Sequence, residues 1–77
     1  MKLPRLSGIE LVKILSKFGY KFIRQHGSHA ILRNDFNQGT KVPLHKELDK
    51  GTLLAILEQC KISREEFFKA LGKKWYP

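Results

Sequence analysis

The chain has 77 residues, 15 Lys plus Arg against 7 Asp plus Glu, and a formal charge of +8. So short a chain removes only about 60% of its unfolded surface on folding, which excludes a large multidomain enzyme, two independent cores or a deep cofactor pocket. At 42% hydrophobic and 29% charged residues it is neither disordered nor membrane-like, and no apolar run approaches the ~20 residues of a spanning helix.

The opening residues Met1-Lys2-Leu3-Pro4-Arg5 have no apolar stretch of the secretory kind, and the lone Cys60 has no partner for an internal disulfide; both point to a reducing cytoplasm. Ser7-Gly8-Ile9-Glu10 has the spacing of a capping box, so a helix is predicted from about Gly8 to Phe18. Leu11, Ile14, Leu15 and Phe18 form its apolar face and Gly19 stops it. From Tyr20 the period becomes two, with Tyr20, Phe22 and Arg24 alternating against Lys21, Ile23 and Gln25 as a first strand. After Gly27 the run His29 to Arg33 reads as a second strand, and Asn34-Asp35-Phe36-Asn37-Gln38-Gly39 as a turn. Thr40 to Leu44 is a third strand, which Pro43 assigns to an edge or an end. Leu53, Ile56, Leu57 and Cys60 mark a helix starting near Lys50, capped by Thr52 or Asp49. Ser63-Arg64-Glu65-Glu66 opens a short helix over Phe67, Phe68 and Leu71 that Gly72 ends.

With no repeat or linker, 1–77 reads as a single unit with 72–77 as its tail. The order α-β-β-β-α plus a short extra C-terminal helix is an α+β fold, with helices on one face of a three-stranded antiparallel sheet and the other face open to a ligand.

The positive charge calls for a polyanion: RNA or DNA, anionic lipid, or an acidic protein. Lipid fits least, because the cations run from Lys2 to Lys74 and not in one block beside an apolar anchor. A glycine-rich phosphate loop, a Cys-x-x-Cys pair and a nucleophile elbow are all missing, and seven acids leave little for a site built on hard cations, so no metal or cofactor is expected. Chemistry then falls to His, Lys, Arg and backbone donors. Of His26, His29 and His45, the second opens a strand after Gly27-Ser28, a glycine that permits close backbone approach and a hydroxyl able to bond phosphate. Pairing of the second and third strands would bring His29 and His45 to the same end of the hairpin, where both could share a site. Imidazoles among cations suit cleavage of RNA by its own 2′-hydroxyl, a reaction that needs no metal and spares DNA. Against this, strand histidines are commonly just solvated, and His26, His29, His45 and Cys60 match no familiar zinc spacing. The tail Lys73-Lys74-Trp75-Tyr76-Pro77 could stack on bases, dock on the core or fray.

Gly27-Ser28-His29-Ala30-Ile31-Leu32, then Val42-Pro43-Leu44-His45, then Lys50-Gly51-Thr52-Leu53-Leu54-Ala55-Ile56-Leu57 closely resemble the HicA family of bacterial and archaeal toxins. Leu6 to Leu15 with Phe18-Gly19-Tyr20, and Ile62 to Phe67, extend the similarity to roughly residues 3–71. The resemblance implies a double-stranded-RNA-binding-domain-like fold, a metal-independent mRNA endonuclease that halts translation, and a HicB-type antitoxin as partner. It implies that His29 is catalytic and that Gly27 and Ser28 shape the phosphate pocket, with His45 in an auxiliary role. Arg24, Lys46 and Lys50 join this set by proximity, as cationic support. A non-catalytic RNA-binding module of the same fold is the alternative, and a domain that only docks an acidic protein is the third reading.

Overall fold

A computed structural model describes residues 5–72. The readings made of residues 1–4 and of the tail with Trp75 and Tyr76 lie outside these. The element order is α1 (Gly8–Ser16), β1 (Lys21–His26), β2 (His29–Arg33), β3 (Gly39–Pro43), α2 (Lys50–Gln59) and α3 (Arg64–Leu71). The strands form one antiparallel sheet in the order β1-β2-β3, as the α+β reading expects.

Each helix starts where its sequence signals it. Ser7 Oγ accepts the Glu10 amide and Glu10 reaches back to the Ser7 amide; Ser63 and Glu66 repeat the box on α3. Between the two caps considered for α2, the structure selects Asp49, whose carboxylate accepts the Thr52 N–H at 2.7 Å. Helix α1 ends two residues before Phe18. Its last turn tightens into bonds from Lys17 to Ile14 and from Phe18 to Leu15, closed by the Gly19-to-Ser16 and Tyr20-to-Leu15 pair of a Schellman motif. Strand β3 ends at Pro43 on a sheet edge, and Leu44 donates to the Ser28 carbonyl at 2.7 Å, outside the ladder. In the 34–39 turn, Asn34 Oδ1 accepts the amides of Phe36 and Gln38.

The first strand departs from simple alternation. Phe22 pairs with Leu32 but Arg24 pairs with Ile31, so Ile23 is the extra residue of a β-bulge. Residues directly opposite in an antiparallel pair share a face. Phe22 therefore lies on the side of buried Leu32, and Arg24 with Ile31 on the opposite side; the two do not share a face as strict alternation predicts.

Ala30, Leu32, Thr40 and Val42 face the helices, and the three apolar ones join one cluster with Leu6, Leu11, Leu15, Leu53, Leu57, Phe67 and Leu71. The helices cover β2 and β3 but leave β1 exposed along its whole length, with Phe22 and Ile23 each 54% accessible. Buried Thr40 is satisfied by donating to Gln59 Oε1 at 2.6 Å, which ties β3 to the end of α2. Burial pushes the Cys60 thiol up, partly offset by bonds from Tyr20 and Thr40, and burial likewise raises the Tyr20 phenol.

The capping carboxylates give stability an acid limb. The bond from Thr52 holds the Asp49 carboxyl below the usual carboxylate range, with a small further pull from His45, and Ser63 does the same for Glu66. A depressed carboxyl stabilises the fold above its unfolded pKa and loses that contribution as pH falls through the folded one. The melting temperature should therefore drop below about pH 4. The double variant Asp49→Asn/Glu66→Gln should show a shallower drop in a pH series of thermal melts; an identical acid limb would remove the caps from the explanation.

Candidate nucleic-acid interface

The alternation of β2 sends Ala30 and Leu32 inward and His29, Ile31 and Arg33 outward. Register carries the same outward face across the sheet: His26, Arg24 and Lys21 on β1 lie opposite His29, Ile31 and Arg33, and Pro43, Lys41 and Gly39 lie opposite them on β3. This face bears Lys21, Arg24, Arg33 and Lys41 with two imidazoles, and none of the three strands contains an acid. Asp35 of the turn places its carboxylate 3.5 Å from Lys21 Nζ at an exposed position. A cationic face without internal neutralisation is an electrostatic footprint for phosphate.

His29 enters from a tight hairpin. His26 pairs with His29, leaving Gly27 and Ser28 as a two-residue loop in which only Gly27 has positive φ, at 60°. That pattern fits a type II′ turn, whose first loop position favours glycine. The structure thus gives Gly27 a reason other than crowding: a Cβ built there meets nothing within 4 Å. The Ser28 carbonyl is occupied by Leu44, while its exposed hydroxyl is left for other partners.

Helix α2 flanks the β3 edge and reaches round to the outward face. Between them opens a cleft of about 710 Å³. His29, Lys41 and Pro43 form its sheet wall, and Thr52, Ala55, Ile56, Glu58 and Gln59 its helix wall. His29 is exposed and so able to exchange a proton with a bound molecule.

The other expected site residues distribute differently. Arg24 is exposed on the same face as His29, one pair removed. His45 lies two residues beyond β3; its carbonyl accepts the Gly8 amide at 2.9 Å and its ring is an electrostatic neighbour of Asp49. It does not line the cleft that His29 lines, and neither do the exposed Lys46 and Lys50, which lie on the connection to α2 and at its first residue. Lys41, Glu58 and Gln59 join the site without a local motif to mark them, and Thr52, a cap candidate in the sequence, is here a cleft residue. Lys41 was legible in the sequence, because period two places this residue opposite buried Thr40 and Val42. Thr52, Ala55 and Gln59 recur at helical spacing beside the core stripe, but only the tertiary fold shows that this second stripe borders the sheet.

The matching family model is that of the HicA toxin of bacterial toxin–antitoxin systems, over residues 8–62. The chain belongs to the HicA toxin family. A comparison with curated proteins finds no match. As a HicA-family chain it is the toxin of a toxin–antitoxin pair, and its counterpart is an antitoxin. The match takes in the whole sheet, α1 and α2, and with them every residue lining the cleft. Among the described residues no helix is long and apolar enough to cross a membrane.

Proposed function

We infer that this HicA-family toxin is an endoribonuclease that cuts mRNA in the cytoplasm without a metal and is neutralised by a HicB-type antitoxin. The observation that carries this reading is an exposed imidazole, His29, set in a cleft with Lys41 on an acid-free sheet face. The ribose 2′-oxygen attacks the adjacent phosphorus and the 5′-oxygen leaves, giving a 2′,3′-cyclic phosphate and a 5′-hydroxyl end. His29 acts as general base on the 2′-hydroxyl or as acid toward the departing oxygen. Lys41 and Arg24 supply positive charge where the phosphorane builds negative charge. Ser28 and the Gly27 backbone contact phosphate at the mouth of the hairpin, and His45, Lys46 and Lys50 attract the strand from outside the cleft. An antitoxin that masks this face has to present acidic groups to it.

The direct test is an RNA oligonucleotide incubated with the full chain in EDTA, beside the same oligonucleotide carrying one 2′-deoxy residue. Cyclic-phosphate products from the first, and none at the deoxy position of the second, are expected. Salt-sensitive binding with no product at all would favour the non-catalytic RNA-binding module.

Lys41 gives a second prediction. Lys41→Met should slow cleavage by about 10–100-fold and lower the slope of log affinity against log salt by about 1, with the melting temperature unchanged. Unaltered cleavage and salt slope would take Lys41 out of the site.

A further inference from the structure

We propose that the helix wall of the cleft is a nucleobase reader, with Glu58 and Gln59 recognising guanine beside the phosphate that His29 and Lys41 engage. The inference deepens the ribonuclease reading, since it takes RNA as the occupant of the cleft. Its first support is the orientation of Gln59. The Oε1 atom accepts the hydroxyl of buried Thr40 at 2.6 Å, which fixes the side chain and commits its acceptor end. The amide nitrogen of this cleft-lining side chain is left as a donor with no other partner among the described residues.

The second support is Glu58, the one carboxylate lining the cleft. In a molecule of charge +8 it makes no salt bridge among the described residues. A carboxylate lowers affinity for a polyanion wherever it meets phosphate. It gains affinity only by facing hydrogen-bond donors, which on a ribonucleotide are the base N–H groups and the ribose hydroxyl. A charged acceptor next to an oriented donor matches guanine, whose N1–H and N2–H can both bond one carboxylate while O6 accepts from the Gln59 amide. No other standard base sets two adjacent N–H donors beside a carbonyl. Pro43 and Ala55 supply apolar surface for the ring, and a cleft of about 710 Å³ admits one nucleotide.

The test separates base recognition from cleavage by using ligands with no internucleotide bond. Binding of the four nucleoside 3′-monophosphates and of inosine 3′-monophosphate to the wild-type chain is measured by NMR titration. Guanosine is expected to bind at least about tenfold tighter than adenosine, cytidine or uridine, and inosine, which lacks the 2-amino group, several-fold weaker than guanosine. Glu58→Gln should cut the guanosine preference by about tenfold. Gln59→Glu, which keeps an acceptor for Thr40 but loses the amide donor, should do the same without lowering the melting temperature. Affinities equal within about twofold across the five ligands, or a guanosine preference untouched by Glu58→Gln, would overturn the proposal. Guanosine preference in a chain that leaves RNA intact sinks the ribonuclease reading and supports the reader; cleavage in a chain that binds all five ligands equally does the reverse.

Discussion

His29→Ala is expected to reduce RNA cleavage by about 10²–10⁴-fold, the range that one positioned proton-transfer group contributes. The same substitution should leave the fold almost untouched. His29 is exposed at the first position of β2, its backbone pairing with His26 and Pro43 does not depend on the ring, and surface changes of this kind stay within about 0.5 kcal/mol. RNA affinity should also persist, because the cations of the sheet face remain. Loss of activity with an unchanged melting curve and preserved binding is therefore the signature to look for. A His29→Ala chain that cuts at the wild-type rate would move the chemistry elsewhere, and parallel loss of activity and folding would make the residue a structural one.

Gly8→Ala is expected to have the largest effect on stability. A Cβ at Gly8 would collide with the Pro43 carbonyl oxygen and come within 2.9 Å of the Leu44 Cα, both backbone atoms that no rotamer change can move. The Gly8 amide is already anchored on the His45 carbonyl at 2.9 Å, so the first turn of α1 cannot step away without losing that bond. Overpacking typically costs about 1–3 kcal/mol, and a clash with backbone belongs at the upper end, in a 77-residue chain whose total stability is roughly 4–12 kcal/mol. The urea midpoint of Gly8→Ala should fall by roughly a quarter or more of its value. A midpoint within error of the wild type would mean that α1 does not dock closely on the end of β3. Because the same junction holds Leu44 against Ser28, RNA cleavage by any folded fraction of this variant should also be impaired.

Local signals in the chain carried most of the architecture. Both capping boxes, the Asp49 cap and the turn at Asn34 depend on residues within four positions of one another, and each forms as its spacing implies. What local spacing does not encode is contact between distant segments. The Ile23 bulge is invisible in a β-branched run whose composition is the same with or without the extra residue, and it is the partner strand that exposes it. Gly8 reads as an ordinary member of a capping box; its need to be glycine comes from Pro43 and Leu44, far along the chain. His29 stood out by its Gly27-Ser28 entry, and period two carries Lys41 to the same face. The placing of Glu58 and Gln59 across from His29 needed the packing of α2 on the β3 edge.

The kink in β1 has a bearing on how the molecule behaves at high concentration. Among the described residues its outer rim is a row of amides and carbonyls with no neighbouring strand, with Phe22 and Ile23 half uncovered, the kind of border along which chains zip together into aggregates. The doubled residue at Ile23 puts the donors and acceptors on either side of it out of step, so an incoming straight strand could match two or three of them and then lose phase. Lys21 and Arg24 bring like charges together when two copies meet edge to edge. A stock of this protein should accordingly stay monodisperse in dilute buffer and begin to associate as added salt screens those cations.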